Sequence, residues 1–74
     1  MRHYVIFEST ATGYSAYPPT LVGVAVTGLT RDETRERMRR AIAFHIEGLR
    51  DDGRPVPETS GEFVEPSGEF IEVP

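Results

Sequence analysis

The chain has 74 residues, a net charge of −4 and no cysteine. A domain of this size buries only about 60% of the surface its unfolded chain exposes, and without thiols it has neither a disulfide framework nor a thiolate metal site to compensate. No signal peptide and no apolar run of membrane-spanning length is read in the sequence, so the expectation is one domain, 1–74, in the cytoplasm with no membrane partner.

The charges are segregated. All eight basic residues are arginine, and all but Arg2 fall between Arg31 and Arg54; the five charges after Pro57 are glutamates, Glu58, Glu62, Glu65, Glu69 and Glu72. An acidic end of one sign steers a basic partner and repels nucleic acid.

In chain order, residues 3–8 (HYVIFE) are rich in β-branched and aromatic side chains, with Tyr4 and Ile6 on one face and Val5 and Phe7 on the other. This pattern predicts a central strand covered on both sides. Residues 9–13 form a small polar turn, and residues 14–17 supply a second strand, antiparallel to the first. Pro18 and Pro19 end it. Residues 21–27 (LVGVAVT) read as a third strand, in which Gly23 marks a bulge or a close approach, and Gly28 turns the chain into a helix.

That helix is predicted over about 31–52. Thr30 followed by Glu33 makes a capping box, each side chain satisfying an otherwise unpaired backbone N–H. Thr34, Met38, Ala41, Ile42, His45 and Leu49 recur at spacings of three and four and define the core stripe, with Ile46 at its margin. Gly53 can adopt the left-handed conformation that ends a helix, while Pro55 and Pro57 favour an extended exit. Beyond Pro57, residues 60–66 (SGEFVEP) are echoed by 67–74 (SGEFIEVP). The second copy is the better strand, since Phe70, Ile71 and Val73 are strong β-formers and Pro66 interrupts the first.

The order β-β-β-α-β implies an α+β domain: a three-stranded antiparallel meander, one helix packed on one face, and a last strand parallel to the first. Either Val5 and Phe7 or Tyr4 and Ile6 then lie on the sheet face away from the helix.

This pattern resembles the HicB family of antitoxins, in particular their amino-terminal domain with its partial ribonuclease H-like fold. The resemblance rests on Tyr14-Ser15-Ala16-Tyr17-Pro18, Leu21, Gly23, Gly28-Leu29-Thr30, Glu33, and the helix from Ala41 to Leu49 running into Asp52-Gly53-Arg54-Pro55-Val56-Pro57. Family members carry Asp-Leu-Pro-Gly after the second strand, where this chain has Thr20-Leu21-Val22-Gly23. The resemblance implies a protein that binds a small mRNA-cleaving HicA-type toxin. Because the sequence stops at Pro74, where family members continue into a DNA-binding domain, it also implies no direct sequence-specific DNA binding.

The residues themselves offer no catalytic constellation. Two-metal cleavage needs converging carboxylates, but Glu8 has no acidic partner on the next two strands. Asp32, Glu33 and Glu36 sit in the first turns of the helix, where its dipole favours them, and the pairs Glu33–Arg37 and Glu36–Arg40 mark a solvated face. His45 is read as a packed stripe residue and His3 as an exposed one, with no metal-ligand spacing between them. No metal or cofactor is therefore expected. Interleaved acids also argue against an RNA footprint for the helix arginines.

Partner contacts are expected from Tyr14, Tyr17, Phe44, Glu62, Phe63, Glu65 and Glu69, which combine aromatic anchors with negative charge. Phe44 lies off the stripe and is either packed beneath the prolines after Gly53 or exposed as an anchor. A single-layer sheet with one helix also leaves apolar surface and an edge strand open, so self-association to a dimer or tetramer is expected.

Overall fold

The computed structural model describes residues 2–57 and 68–73. Strand β1 (Arg2–Ser9) pairs with β2 (Tyr14–Tyr17) through a tight turn, in which the Thr10 amide donates to the Gly13 carbonyl at 2.8 Å. Strand β3 (Val26–Gly28) follows, then helix α1 (Arg31–Asp51) and strand β4 (Gly68–Glu72). The sheet order is β3-β2-β1-β4, with every pair antiparallel. The α+β class and the central position of β1 agree with the sequence.

The direction of β4 does not. The expected parallel pairing with β1 is replaced by an antiparallel one, with Arg2 opposite Glu72 and Ile6 opposite Gly68. A crossover helix returns the chain to the starting end of β1, and a strand that began there would run parallel. Sixteen residues separate Asp51 from Gly68, however, enough at about 3.3 Å each to travel back along a helix roughly 30 Å long. The strand therefore enters from the opposite end.

The third strand is also shorter than expected. Residues 21–25 form a loop, because the Leu21 amide donates to the Pro18 carbonyl at 3.1 Å and Gly23 takes φ +89°, which no extended strand tolerates. A Cβ at Gly23 would meet nothing, so the residue serves a turn rather than a close approach. Leu21 nevertheless points inward from the loop and is 2% exposed.

The carboxy-terminal stop forms as its sequence dictates, whereas only the Thr30 half of the expected capping box does, since the Glu33 carboxylate pairs with Arg37 instead of reaching back to Thr30. The Thr30 side chain accepts from the Glu33 amide at 3.1 Å. At the other end the Gly53 amide donates to Arg50 at 3.0 Å and the Arg54 amide to Leu49 at 2.8 Å, with Gly53 at φ +70°. This double reversal satisfies two terminal carbonyls at once.

The buried stripe of α1 is Thr34, Met38, Ile42, Ile46 and Leu49. Ile46 is thus central, and Ala41 and His45 are half-buried margins, the reverse of the expected assignment. The helix lies with its core direction displaced toward Ile46, where its side chains join Val5, Phe7, Ala16, Leu21, Ile71 and Val73 in one cluster. Val5 and Phe7 consequently face the helix, and Tyr4 and Ile6 face away.

His3, expected to be exposed, is buried, whereas His45 is half-buried at the margin of the stripe. His3 shares the helix-facing side of β1 with Val5 and Phe7, is fully buried, and has among the described residues no hydrogen-bond partner for either ring nitrogen. Burial, reinforced by the positive amino terminus, pushes its pKa below the ordinary histidine value. The neutral ring is the folded form. As pH falls through the unfolded-state value of about 6.5, the unfolded chain takes up a proton that the folded chain resists. Stability is therefore expected to decline below that pH, and His3→Leu, which removes two unsatisfied nitrogens, should flatten the decline. Urea midpoints measured from pH 7.5 to 5 check this; an unchanged slope in the variant would contradict it.

Candidate protein-binding surfaces

Alternation along the strands sorts the candidate residues by face. Residues paired across antiparallel strands share a face, so Tyr17 joins Ile6 on the side away from the helix, and Phe70 joins Tyr4. The Tyr4 and Phe70 rings meet edge to face, with centroids 5.2 Å apart. The Arg2 guanidinium lies 4.7 Å over the Phe70 ring, a cation–π contact. Gly68 permits this packing, since a Cβ there would collide with the Tyr4 ring. Tyr4 and Ile6 are buried, whereas Tyr17 and Phe70 keep 38% and 39% of their surface exposed. Two partly open aromatic rings thus flank β1, one on β2 and one on β4.

Tyr14 does not belong to this stripe. It stands three residues before Tyr17 and pairs with Ser9, on the helix side and at the end of the sheet. The two tyrosines form no joint surface.

Glu69 also lies on the helix side, opposite Val5. Its carboxylate accepts from Arg35 Nε at 2.7 Å and lies 3.8 Å from Arg31 Nε. Arg35 in turn binds Asp32 at 2.5 Å, and these hydrogen bonds raise its pKa further, so it stays charged. The Arg31 guanidinium lies 4.3 Å over the Phe7 ring. Glu69 therefore ties β4 to the first turns of α1. The strand parity that places Phe70 outward turns its neighbour inward.

Phe44 is 79% exposed, so of its two expected positions the exposed one holds and the packed one beneath the prolines does not. It lines a shallow groove with Ala41, His45 and the loop residues Gly23, Val24 and Ala25. Val22 and Leu29 are exposed as well. Glu62, Phe63 and Glu65 lie outside the described residues, as does the first copy of the acidic repeat.

The acids in the first turns of α1 are engaged locally. Glu33 pairs with Arg37 at 2.6 Å and Glu36 with Arg40 at 3.5 Å, as the four-residue spacing predicts, and Glu36 also binds Arg39. Among the described residues, no group of three histidine, aspartate or glutamate side chains is placed to hold a metal ion, and no helix is long and apolar enough to cross a membrane.

The sequence matches no protein-family model and no curated protein. The fold is similar to solved structures. A chain of the HicA3 and HicB3 toxin-antitoxin complex matches with a TM-score of 0.77 and 22% identity, over 100% of this chain and 99% of that one. The amino-terminal domain of the Burkholderia pseudomallei antitoxin HicB matches with a TM-score of 0.74 and 23% identity, again over 100% and 99%. Against the longer B. pseudomallei HicB structure the TM-score is 0.78 at 23% identity, and this chain spans 63% of that chain. The chain thus has the fold of the HicB amino-terminal domain.

The role of Glu69 as an internal tie is open to measurement. Its pairs are partly shielded, so Glu69→Gln is expected to cost about 1 kcal/mol of unfolding free energy. Molar salt should narrow the difference by screening. Denaturant titration of both proteins at low and high salt checks this; equal stability at low salt would show that the tie contributes nothing.

Proposed function

We propose that this chain acts as an antitoxin-like protein, binding and occluding a HicA-type mRNA-cleaving toxin rather than catalysing a reaction. The observation that carries this reading is the end-to-end match to a chain of a toxin-antitoxin complex and to an antitoxin domain. Physical support comes from the sheet face away from the helix. Tyr17 and Phe70 offer half-open aromatic surface there, the side-chain type that dominates binding energy at interfaces.

Glu62 and Glu65, with Phe63 between them, enter the proposal from sequence alone. A toxin that grips RNA is basic, and a mobile encounter with it is accelerated by an acidic strip. Charge would thus govern the speed of association and the aromatic rings its lifetime.

Co-expression with the product of the adjacent gene, followed by size-exclusion chromatography, tests the partner directly. Given a toxin complex, Tyr17→Ala together with Phe70→Ala is expected to weaken binding by about tenfold or more, chiefly through faster dissociation. Glu62→Gln with Glu65→Gln should slow association at low salt and converge with the parent at high salt. Unchanged rates in both double variants would remove these residues from the interface.

The non-enzymatic part has its own check. Glu8 is exposed on β1, and Asp32, Glu33 and Glu36 in the first turns of the helix are held in ion pairs with arginines. RNA, DNA and hybrid substrates with magnesium or manganese are expected to stay intact. Cleavage that survives repurification and vanishes in Glu8→Gln would overturn that expectation.

A further inference from the structure

The loop between β2 and β3 and the carboxy-terminal end of α1 enclose a cleft of about 380 Å³, walled by residues 20–22, by His45 and Leu49, and by the segment that leaves the helix. The toxin-binding reading does not use it. Leu21 and Leu49, both buried, give it apolar walls, and the exposed Val22 and two proline rings extend that surface outward.

The walls are set in place by the fold itself. The Leu21 amide donates to the Pro18 carbonyl at 3.1 Å, and the Arg54 amide donates to the Leu49 carbonyl at 2.8 Å, so the loop is closed on itself and the exit segment is clamped to the helix. Pro55 and Pro57 each fix one further backbone angle. A cleft ordered in this way gives up little conformational entropy when it is filled.

Three polar side chains interrupt the apolar lining: Thr20, His45 and Arg54. Among the described residues Arg54 is the single charged group that lines the cleft, and it is exposed and forms no ion pair. Asp51 and Asp52 follow the helix but do not line it. The negative helix end is also satisfied, because the carbonyls of Gly48, Leu49 and Arg50 accept from the amides of Asp52, Arg54 and Gly53. Thr20 Oγ1 is buried with no hydrogen-bond partner among the described residues, a state that costs stability. Rotation about its Cα–Cβ bond would offer that hydroxyl to an oxygen seated in the cleft. His45 carries a ring N–H in either tautomer. One unpaired cation and two further donors at the side of an apolar basin complement an apolar body that ends in a single anionic head. A doubly charged phosphate would leave one charge unmatched.

We propose that this cleft binds a small monocarboxylic acid, its carboxylate on Arg54 and Thr20 and its hydrocarbon body against Leu21 and Leu49. At the roughly 30 Å³ that one water occupies in the liquid, the volume has room for about a dozen non-hydrogen atoms. An aromatic acid with a short side chain is of that size. Its occupation would tie the β2–β3 loop to the end of α1. The inference concerns the purified chain and does not rest on the antitoxin reading.

Titration of the labelled protein with 3-phenylpropanoate, followed by amide chemical shifts, is expected to give saturable changes at Leu21, Leu49 and Arg54, with a dissociation constant of about a millimolar. The corresponding amide, 3-phenylpropanamide, should bind about tenfold more weakly, since it lacks the charge that Arg54 recognises. Arg54→Gln should weaken the acid by about tenfold, with an unchanged melting curve in the absence of ligand because the side chain is exposed. Thr20→Val should weaken it by a smaller factor. Arg50→Gln removes an equal charge that does not line the cleft, and binding should be unaffected. No saturable change up to about 20 mM acid, far above the expected constant, overturns the proposal. So does equal binding of acid and amide, indifference to Arg54→Gln, or an Arg50→Gln loss as large as that of Arg54→Gln, which would mark attraction to net charge in place of a site.

Discussion

The packing of a single helix stripe against one face of a single sheet is the constraint on which the rest of this structure depends. Met38, Ile42 and Ile46 on α1 and Val5, Phe7 and Ile71 on the sheet are all within a few per cent of complete burial. Each such side chain contributes roughly 1.5–3 kcal/mol, whereas a whole domain is stable by only about 5–15 kcal/mol. The helix must therefore present those residues, and no others, to the sheet. Its two ends hold that rotation. The Thr30 cap sets where the first turn begins, and the reversal at Gly53 stops the helix before its polar residues could be driven across the sheet.

Covering one sheet face completely leaves the molecule with two outward surfaces of different character. Opposite the helix, the Tyr4–Phe70 pair and Tyr17 form an aromatic strip to which Arg2 is already attracted. On the helix crest, Phe44 stands among charges of both signs. The strip offers flat aromatic area, whereas the crest sets one exposed ring among charged side chains. Their placement on opposite layers means that occupation of one does not sterically preclude occupation of the other.

The arginines help to keep these surfaces distinct. Most of those on α1 are bound to nearby carboxylates, to the Thr27 carbonyl at 2.9 Å, or to an aromatic ring on the sheet. Positive charge that might have formed a phosphate-binding stripe is consumed in fixing the helix to its neighbours. This explains how a chain with a quarter of its residues charged lacks the continuous basic footprint of a nucleic-acid binder.

What the sequence determined by itself was local. The cap at Thr30, the left-handed stop at Gly53, the two-sided character of β1 and the ion pairs four residues apart each arise from interactions among residues close along the chain, so their signals are complete within a short window. The resemblance to HicB antitoxins was carried by the same segments, and the fold agrees with it. Tertiary structure alone decided the rest. Whether β4 ran parallel or antiparallel depended on how far a 16-residue connection travels, which no periodicity encodes. That direction placed Phe70 opposite Tyr4 and turned Glu69 under the helix. The exact rotation of α1 on the sheet, a matter of shape fit between layers, made Ile46 central and His45 marginal and left Phe44 exposed. His3 was buried for the same reason: its strand position put it on the helix side, and the space there had to be filled by whichever side chain the register supplied.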